Sequence, residues 1–161
     1  MKRPVSIVLG SKTDLKTIRE AIKLLREFNV GFEIKILSAH RTPKELAAYV
    51  ETASLKDTKV FIAAAGGAAA LAGVIASHTT LPVIGIPIET KSLKGLDSLL
   101  STVQMPAGVP VASMAIGKPG AKNAALFALE ILGLTDKKIS QKLSALKKRT
   151  AAKIKSIKIK L

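Results

Sequence analysis

Five short apolar runs, separated by longer stretches of helical periodicity, leave this chain few folds to choose from. Residues 5–9 form the first run, which stops at Gly10, and Leu15, Ile18, Ile22 and Leu25 then line one helical face. Residues 32–37 read as a second strand. Thr42-Pro43-Lys44-Glu45 has the form of a capping box with proline at the first helical position, followed by Leu46, Tyr49, Val50 and Ala53 at helical spacing. Thr42 is expected to do no more than cap. Residues 60–64 are uninterruptedly apolar, as suits a strand covered on both faces, and Gly66-Gly67 leads from them into an alanine-rich helix. Residues 82–88 and 109–114 supply two more short buried strands, and residues 120–132 a helix that Gly133 should end. Thr135 or Asp136 can cap a last helix. Its apolar residues Ile139, Leu143, Leu146, Ile154 and Ile157 need a cover, for which a neighbouring subunit is one candidate. Residues 157–161 alternate with period two and can fray or extend a sheet edge.

Alternation of this kind implies an α/β fold in three αβα layers, with a parallel sheet of about five strands and right-handed crossovers. Ligands then collect in the loops after the carboxyl ends of the strands. A length of 161 residues suits one domain without a linker: residues 1–135 carry the α/β unit and residues 136–161 a basic helix and tail of the same domain. The 48% hydrophobic content is that of a chain able to build a core. Cysteine is absent, which excludes disulfides, thiolate zinc sites and a cysteine nucleophile. The apolar run after Met1 is too short for a signal peptide, and no run suits a membrane span, so the reading is a cytoplasmic protein.

The net charge of +15 raises the question of nucleic acid. Ten Lys or Arg and no acid fall within residues 137–161, which leaves 16 basic and 11 acidic groups on the rest. The excess is thus a property of the tail. Aromatic residues make up only 3% of the chain, few for base stacking, so a solvated helix face is the favoured reading of the tail, and a non-enzymatic protein that binds polyanions through it by counterion release is the distant alternative.

Three loops after strands carry the chemistry. Gly10-Ser11-Lys12-Thr13-Asp14 opens a helix whose N–H groups suit an anion, although Ser11 and Asp14 are also ordinary capping residues. Ser38-Ala39-His40-Arg41 brings together a hydroxyl, an imidazole that exchanges protons near neutral pH and a guanidinium that forks onto phosphate or carboxylate. Gly66-Gly67-Ala68 has no reactive side chain and can offer only backbone groups and close approach, to a ligand or to a neighbouring element. His78, near a helix end, reads as structural.

The succession Gly-Ser-Lys-Thr-Asp, Ser-Ala-His-Arg-Thr-Pro, Ala-Gly-Gly-Ala-Ala and Leu-Pro-Val-Ile-Gly-Ile-Pro resembles the aminoimidazole ribonucleotide carboxyl-transfer family. Gly95-Leu96-Asp97-Ser98-Leu99-Leu100, Val103-Gln104-Met105-Pro106, Ala115-Ile116-Gly117-Lys118 and Asn123-Ala124-Ala125 extend the likeness over residues 5–134. The resemblance implies a flavodoxin-like fold, a homo-octamer, an aminoimidazole ribonucleotide substrate, and neither metal nor organic cofactor. The intact Ser38-to-Pro43 segment looks like the mutase branch, which moves a carboxyl group from nitrogen to carbon in de novo purine biosynthesis. Direct carboxylation with carbon dioxide is the alternative. Carried over, His40 would transfer protons, Ser38 and Arg41 would hold the phosphate, and Ser11 and Asp14 would contact the nucleotide. Gly66, Gly67 and Ala68 would line the imidazole and carboxyl site. The sequence departs from the family at Ala70-Leu71-Ala72, where mutases typically have a histidine, a leucine and a proline. Either that histidine is dispensable, or the chain is a directly carboxylating variant, or it is a related carboxylase-like protein acting on a different heterocycle.

Overall fold

A computed structural model describes residues 2–159. Strands β1 (Val5–Leu9), β2 (Phe32–Ile36), β3 (Val60–Gly66), β4 (Val83–Ile88) and β5 (Ala112–Ser113) form one sheet in the order β2-β1-β3-β4-β5. Every pairing is parallel. Helices α1 (Leu15–Glu27), α2 (Pro43–Ser54), α3 (Leu71–Ser77), α4 (Leu96–Val103), α5 (Gly117–Gly133) and α6 (Lys137–Lys155) complete it. The sheet therefore has helices on both faces, a flavodoxin-like arrangement.

Alternate side chains of each strand build the two cores. Ile7 and Leu9 of β1, Ile62 and Ala64 of β3, and Ile84 and Ile86 of β4 meet Ile18, Ala21 and Leu25 of α1 and the alanine-rich side of α5. On the opposite face Val8, Phe61, Ala63 and Val83 meet Leu46 and Val50 of α2 and Leu71 and Ile75 of α3. The central position of β3 explains its unbroken apolar sequence, because neither face reaches water over residues 60–64. β1 admits one polar residue, Ser6, fully buried, whose Oγ donates to the Tyr49 hydroxyl at 2.6 Å; Tyr49 in turn donates to Glu33 Oε1 at 2.7 Å. Burial raises the Tyr49 pKa well above that of a free phenol.

Several boundaries differ from the sequence reading. β5 shrinks to two residues, since Ala107-Gly108 turns the chain and Pro110 has no N–H to give a ladder. α5 begins at Gly117 and runs through Gly133 to a right-handed cap at Leu134, so Gly133 is not the stop. Asp136, not Thr135, caps α6: its Oδ1 accepts from the N–H groups of Lys138 and Ile139 at 2.8 and 3.3 Å. Ile139 and Leu143 are covered by the chain's own core, whereas Ile154 and Ile157 stand exposed. Residues 157–159 form no strand; Lys160 and Leu161 lie outside the described residues. None of the described helices is long and apolar enough to cross a membrane.

Candidate active site at the sheet switch point

β1 is followed in the chain by β2 on one side of it and then by β3 on the other, so the loops leaving β1 and β3 diverge and open a crevice. A cavity of about 330 Å³ lies there, within the size range of small-ligand sites. Seven of the eight residues singled out in the sequence line it: Ser11, Asp14, Ser38, His40, Arg41, Gly66 and Ala68.

The β1 loop is braced from within. Ser11 N–H donates to Asp14 Oδ2 at 3.0 Å, and Ser11 Oγ accepts from Thr13 N–H at 3.4 Å, a capping box that closes the single 3-10 turn Lys12–Asp14 ahead of α1, while Asp14, at the N-cap position of α1 itself, makes no side-chain cap to it. Ser11 and Asp14 also face the cavity. Asp14 is 7% exposed, and that burial pushes its carboxyl pKa up, against the opposing pull of the Thr13 hydroxyl and the Ser11 N–H.

The β2 loop folds over itself before α2 starts. Thr42 makes no side-chain cap to α2, contrary to the capping-box reading. Its Oγ1 instead turns back to Ser38, accepting from Ser38 N–H at 2.8 Å and lying 3.2 Å from the Ser38 carbonyl oxygen. The following proline disfavours helical backbone at Thr42, whose φ of −137° and ψ of 52° lie outside the helix. The loop thereby presents Ser38, His40 and Arg41 together. Arg41 Nη2 donates to the Gly10 carbonyl at 3.1 Å, tying the β2 loop to the β1 loop, and no carboxylate among the described residues pairs with it. His40 is exposed at the cavity wall, and its ring makes no hydrogen bond among the described residues.

Gly67 is the one expected residue that does not line the cavity. Its backbone is left-handed, with φ of 71°, and its N–H donates to Ser98 Oγ at 2.9 Å, so that amide points into α4 and away from a ligand. Gly66 and Ala68 on either side form the wall, joined by Ala70 and Leu71. His78 lies elsewhere: its Nδ1 is 3.1 Å from Glu51 Oε1, linking the end of α3 to α2.

A second, wider hollow of about 800 Å³ adjoins the first, sharing Asp14 and Gly66, and carries Lys16, Lys91, Lys94 and Lys118. Lysines carry no motif that marks them in the sequence, but those at 91, 94 and 118 follow β4 and β5, where the rule for parallel sheets places ligands. Among the described residues no group of three or more His, Asp or Glu is placed to hold a metal.

Sheet order and cavity position define a doubly wound α/β protein whose switch-point cavity is lined by an imidazole, a guanidinium without a carboxylate partner among the described residues, and hydroxyl groups. The chain belongs to the AIR carboxylase family, whose model matches residues 4–153. It is 52% identical over 139 residues to the N5-carboxyaminoimidazole ribonucleotide mutase of Saccharolobus solfataricus, covering 86% of this chain and 87% of that protein. With the Bacillus subtilis protein of the same name it shares 51% over 150 residues, covering 93% of each. Among solved structures it is similar to Treponema denticola PurE, with a TM-score of 0.85 and 29% identity, covering 93% of this chain and 92% of the other.

Proposed function

We propose that this chain is an isomerase of de novo purine biosynthesis. It converts 5-carboxyamino-1-(5-phosphoribosyl)imidazole into the 4-carboxylate of 5-amino-1-(5-phosphoribosyl)imidazole. The observation that carries this reading is the meeting of His40, Arg41, Ser38, Ser11 and Asp14 around one switch-point cavity. The mutase name borne by relatives about half identical supports it, and direct carboxylation is not favoured.

Arg41, held at one nitrogen by the Gly10 carbonyl, keeps other N–H groups for the substrate phosphate, with the Ser38 hydroxyl beside it. A carboxylate repels phosphate, so Asp14 serves ribose hydroxyls. His40 delivers a proton to the carbamate nitrogen as the carbon–nitrogen bond breaks and carbon dioxide leaves. The ring carbon then attacks carbon dioxide, and His40 takes the proton lost from that carbon, which returns the imidazole to its starting state. The Gly66 and Ala68 wall confines the freed carbon dioxide near the ring. Ala70 puts a methyl group where a second imidazole would be, so one histidine serves both proton transfers.

The protein is further inferred to be a cytoplasmic homo-octamer. Leu96, Leu100 and Val103 form a half-exposed stripe on α4, preceded by exposed Leu93, and Ile154 of α6 and Ile157 just after it lack a cover. Such exposed apolar side chains fit burial against further copies of the chain.

The test is turnover by purified protein of the carboxyamino nucleotide, set against aminoimidazole ribonucleotide with bicarbonate. Product from the first alone is expected, and His40→Asn should lower kcat by about 10²–10⁴-fold while the nucleotide still binds. Product mainly from the second mixture would make the chain a direct carboxylase, and full activity in His40→Asn would end the proton-transfer role.

A further inference from the structure

We propose that Ser98 is a positioning residue: from α4, outside the cavity, it fixes the Gly67 turn and with it Gly66 and Ala68 on either side, the wall against which the reacting end of the substrate lies. The inference rests on the functional reading above. It starts from a physical difficulty. A loop of two glycines and an alanine has no side chain able to hold its own shape, and glycine surrenders more backbone freedom than any other residue when fixed. Something outside the loop must define it.

The hydrogen bonds show what does. Ser98 is fully buried, and its Oγ donates to the Ile88 carbonyl at the end of β4 at 2.7 Å. With its only proton committed there, the oxygen can act solely as acceptor toward Gly67, whose N–H reaches it at 2.9 Å. One hydroxyl thus joins the last residue of β4 to the left-handed turn after β3. Ser101, one turn later on α4, is 3.3 Å from the Gly67 carbonyl oxygen, so both peptide groups of Gly67 face the same helix. The start of α4 is itself pinned: Thr90 donates to Asp97 Oδ1 at 2.8 Å and accepts from Gly95 N–H at 3.3 Å.

The composition of α4 supports a positional role. Its buried residues are Ser98 and Thr102, while Leu96, Leu100 and Val103 point outward. Enclosing a hydroxyl is unfavourable unless it is bonded, so a helix that faces the sheet with hydroxyls makes its inner contacts by hydrogen bonds. Thr102 bonds only within its own helix, to the Ser98 carbonyl. Ser98 alone of the two connects to the wall of the site.

The two buried hydroxyls form a natural comparison. Ser98→Ala should lower kcat about tenfold or more and leave KM for the nucleotide within about twofold, because the phosphate and ribose ends are held by other loops and a misplacement of about 1 Å at the reacting end is enough for such a loss. Amide hydrogen exchange at Gly67 should quicken. Thr102→Ala, which removes a buried hydroxyl of the same helix, should lower the melting temperature while keeping both kinetic constants near those of the unaltered protein. If Ser98→Ala does not accumulate folded, Ser98→Cys keeps the side-chain shape in a slightly larger group with a poorer acceptor, and a smaller fall in kcat, roughly threefold, is expected. An unchanged kcat in the Ser98 variant, or an equal loss in Thr102→Ala, overturns the proposal. Failure of the unaltered protein to turn over either nucleotide would instead overturn the functional reading, while Gly67 exchange would still report whether Ser98 holds the loop.

Discussion

Asp14 combines two demands that pull against each other. Its carboxylate faces the cavity, yet burial raises its pKa above the ordinary 3.8, which means that the fold prefers the protonated form. A carboxyl whose native pKa is raised contributes stability that is fully present below the unfolded value and is lost as pH rises through the native one. Asp14→Asn carries no charge at any pH and can still accept the Ser11 N–H. The variant's melting temperature should therefore match that of the unaltered protein below about pH 3.8 and pull ahead as pH climbs through the raised value, with a plateau above it. The gain should be accompanied by a higher KM, since ribose hydroxyls lose their charged acceptor. A melting-temperature difference that does not vary with pH would contradict the burial argument. The residue types and loop positions of the site were legible before the fold was known, because His, Arg and Ser after β2 can only gather where parallel strands end. What each hydroxyl bonds to was not: Thr42 carries the signature of a cap and spends its oxygen on Ser38 instead.

Packing between elements depends at one point on the absence of a single atom. A Cβ added at Gly120, in the first turn of α5, would collide with the Ala115 carbonyl oxygen of the loop after β5. That backbone has nowhere to retreat, because α5 is seated through buried Ala121, Ala124, Ala125 and Ala128 against α1 and the sheet. Gly120→Ala should accordingly destabilise the protein by roughly 3 kcal/mol or more, read as a lower urea midpoint with unchanged slope. A loss below about 1 kcal/mol would mean that the loop yields easily. At this scale β1, β3 and β4 were readable from sequence, since strands covered on both faces are marked by unbroken apolar runs. α4 was not read as a helix. Its leucines and valine sit at helical spacing, but they face outward while Ser98 and Thr102 face in, the reverse of the pattern by which an amphipathic helix is recognised. β5 was overread for a related reason: residues 109–114 are apolar enough for a strand, but the turn at Gly108 and the proline at 110 leave only Ala112–Ser113 in register with Ile84 and Gly85.

Charge and apolar surface pull in opposite directions on the whole molecule. Each chain carries +15, and bringing copies together concentrates that charge, while the stripe of Leu96, Leu100 and Val103 and the uncovered Ile154 and Ile157 favour contact. Residues 147–159 are all exposed and add nothing to the chain's own core, yet residues 147–161 hold seven of the basic side chains. Among the described ones Lys147 alone has an acidic partner, Glu130, at 3.0 Å and largely in solvent, where a pair contributes little. If apolar contacts drive the inferred octamer and charge opposes it, salt should strengthen assembly, because the screening length falls from about 30 Å at 0.01 M to about 8 Å at 0.15 M. Sedimentation velocity across that range should show the largest species growing with salt. A chain ending at Leu146 has a net charge of +8 and should keep its fold by circular dichroism while its assembly responds less to salt. The direction of the response separates two pictures of the arm. Assembly that weakens as salt rises would mean instead that the lysines of α6 find carboxylates on neighbouring copies, an attraction that screening removes.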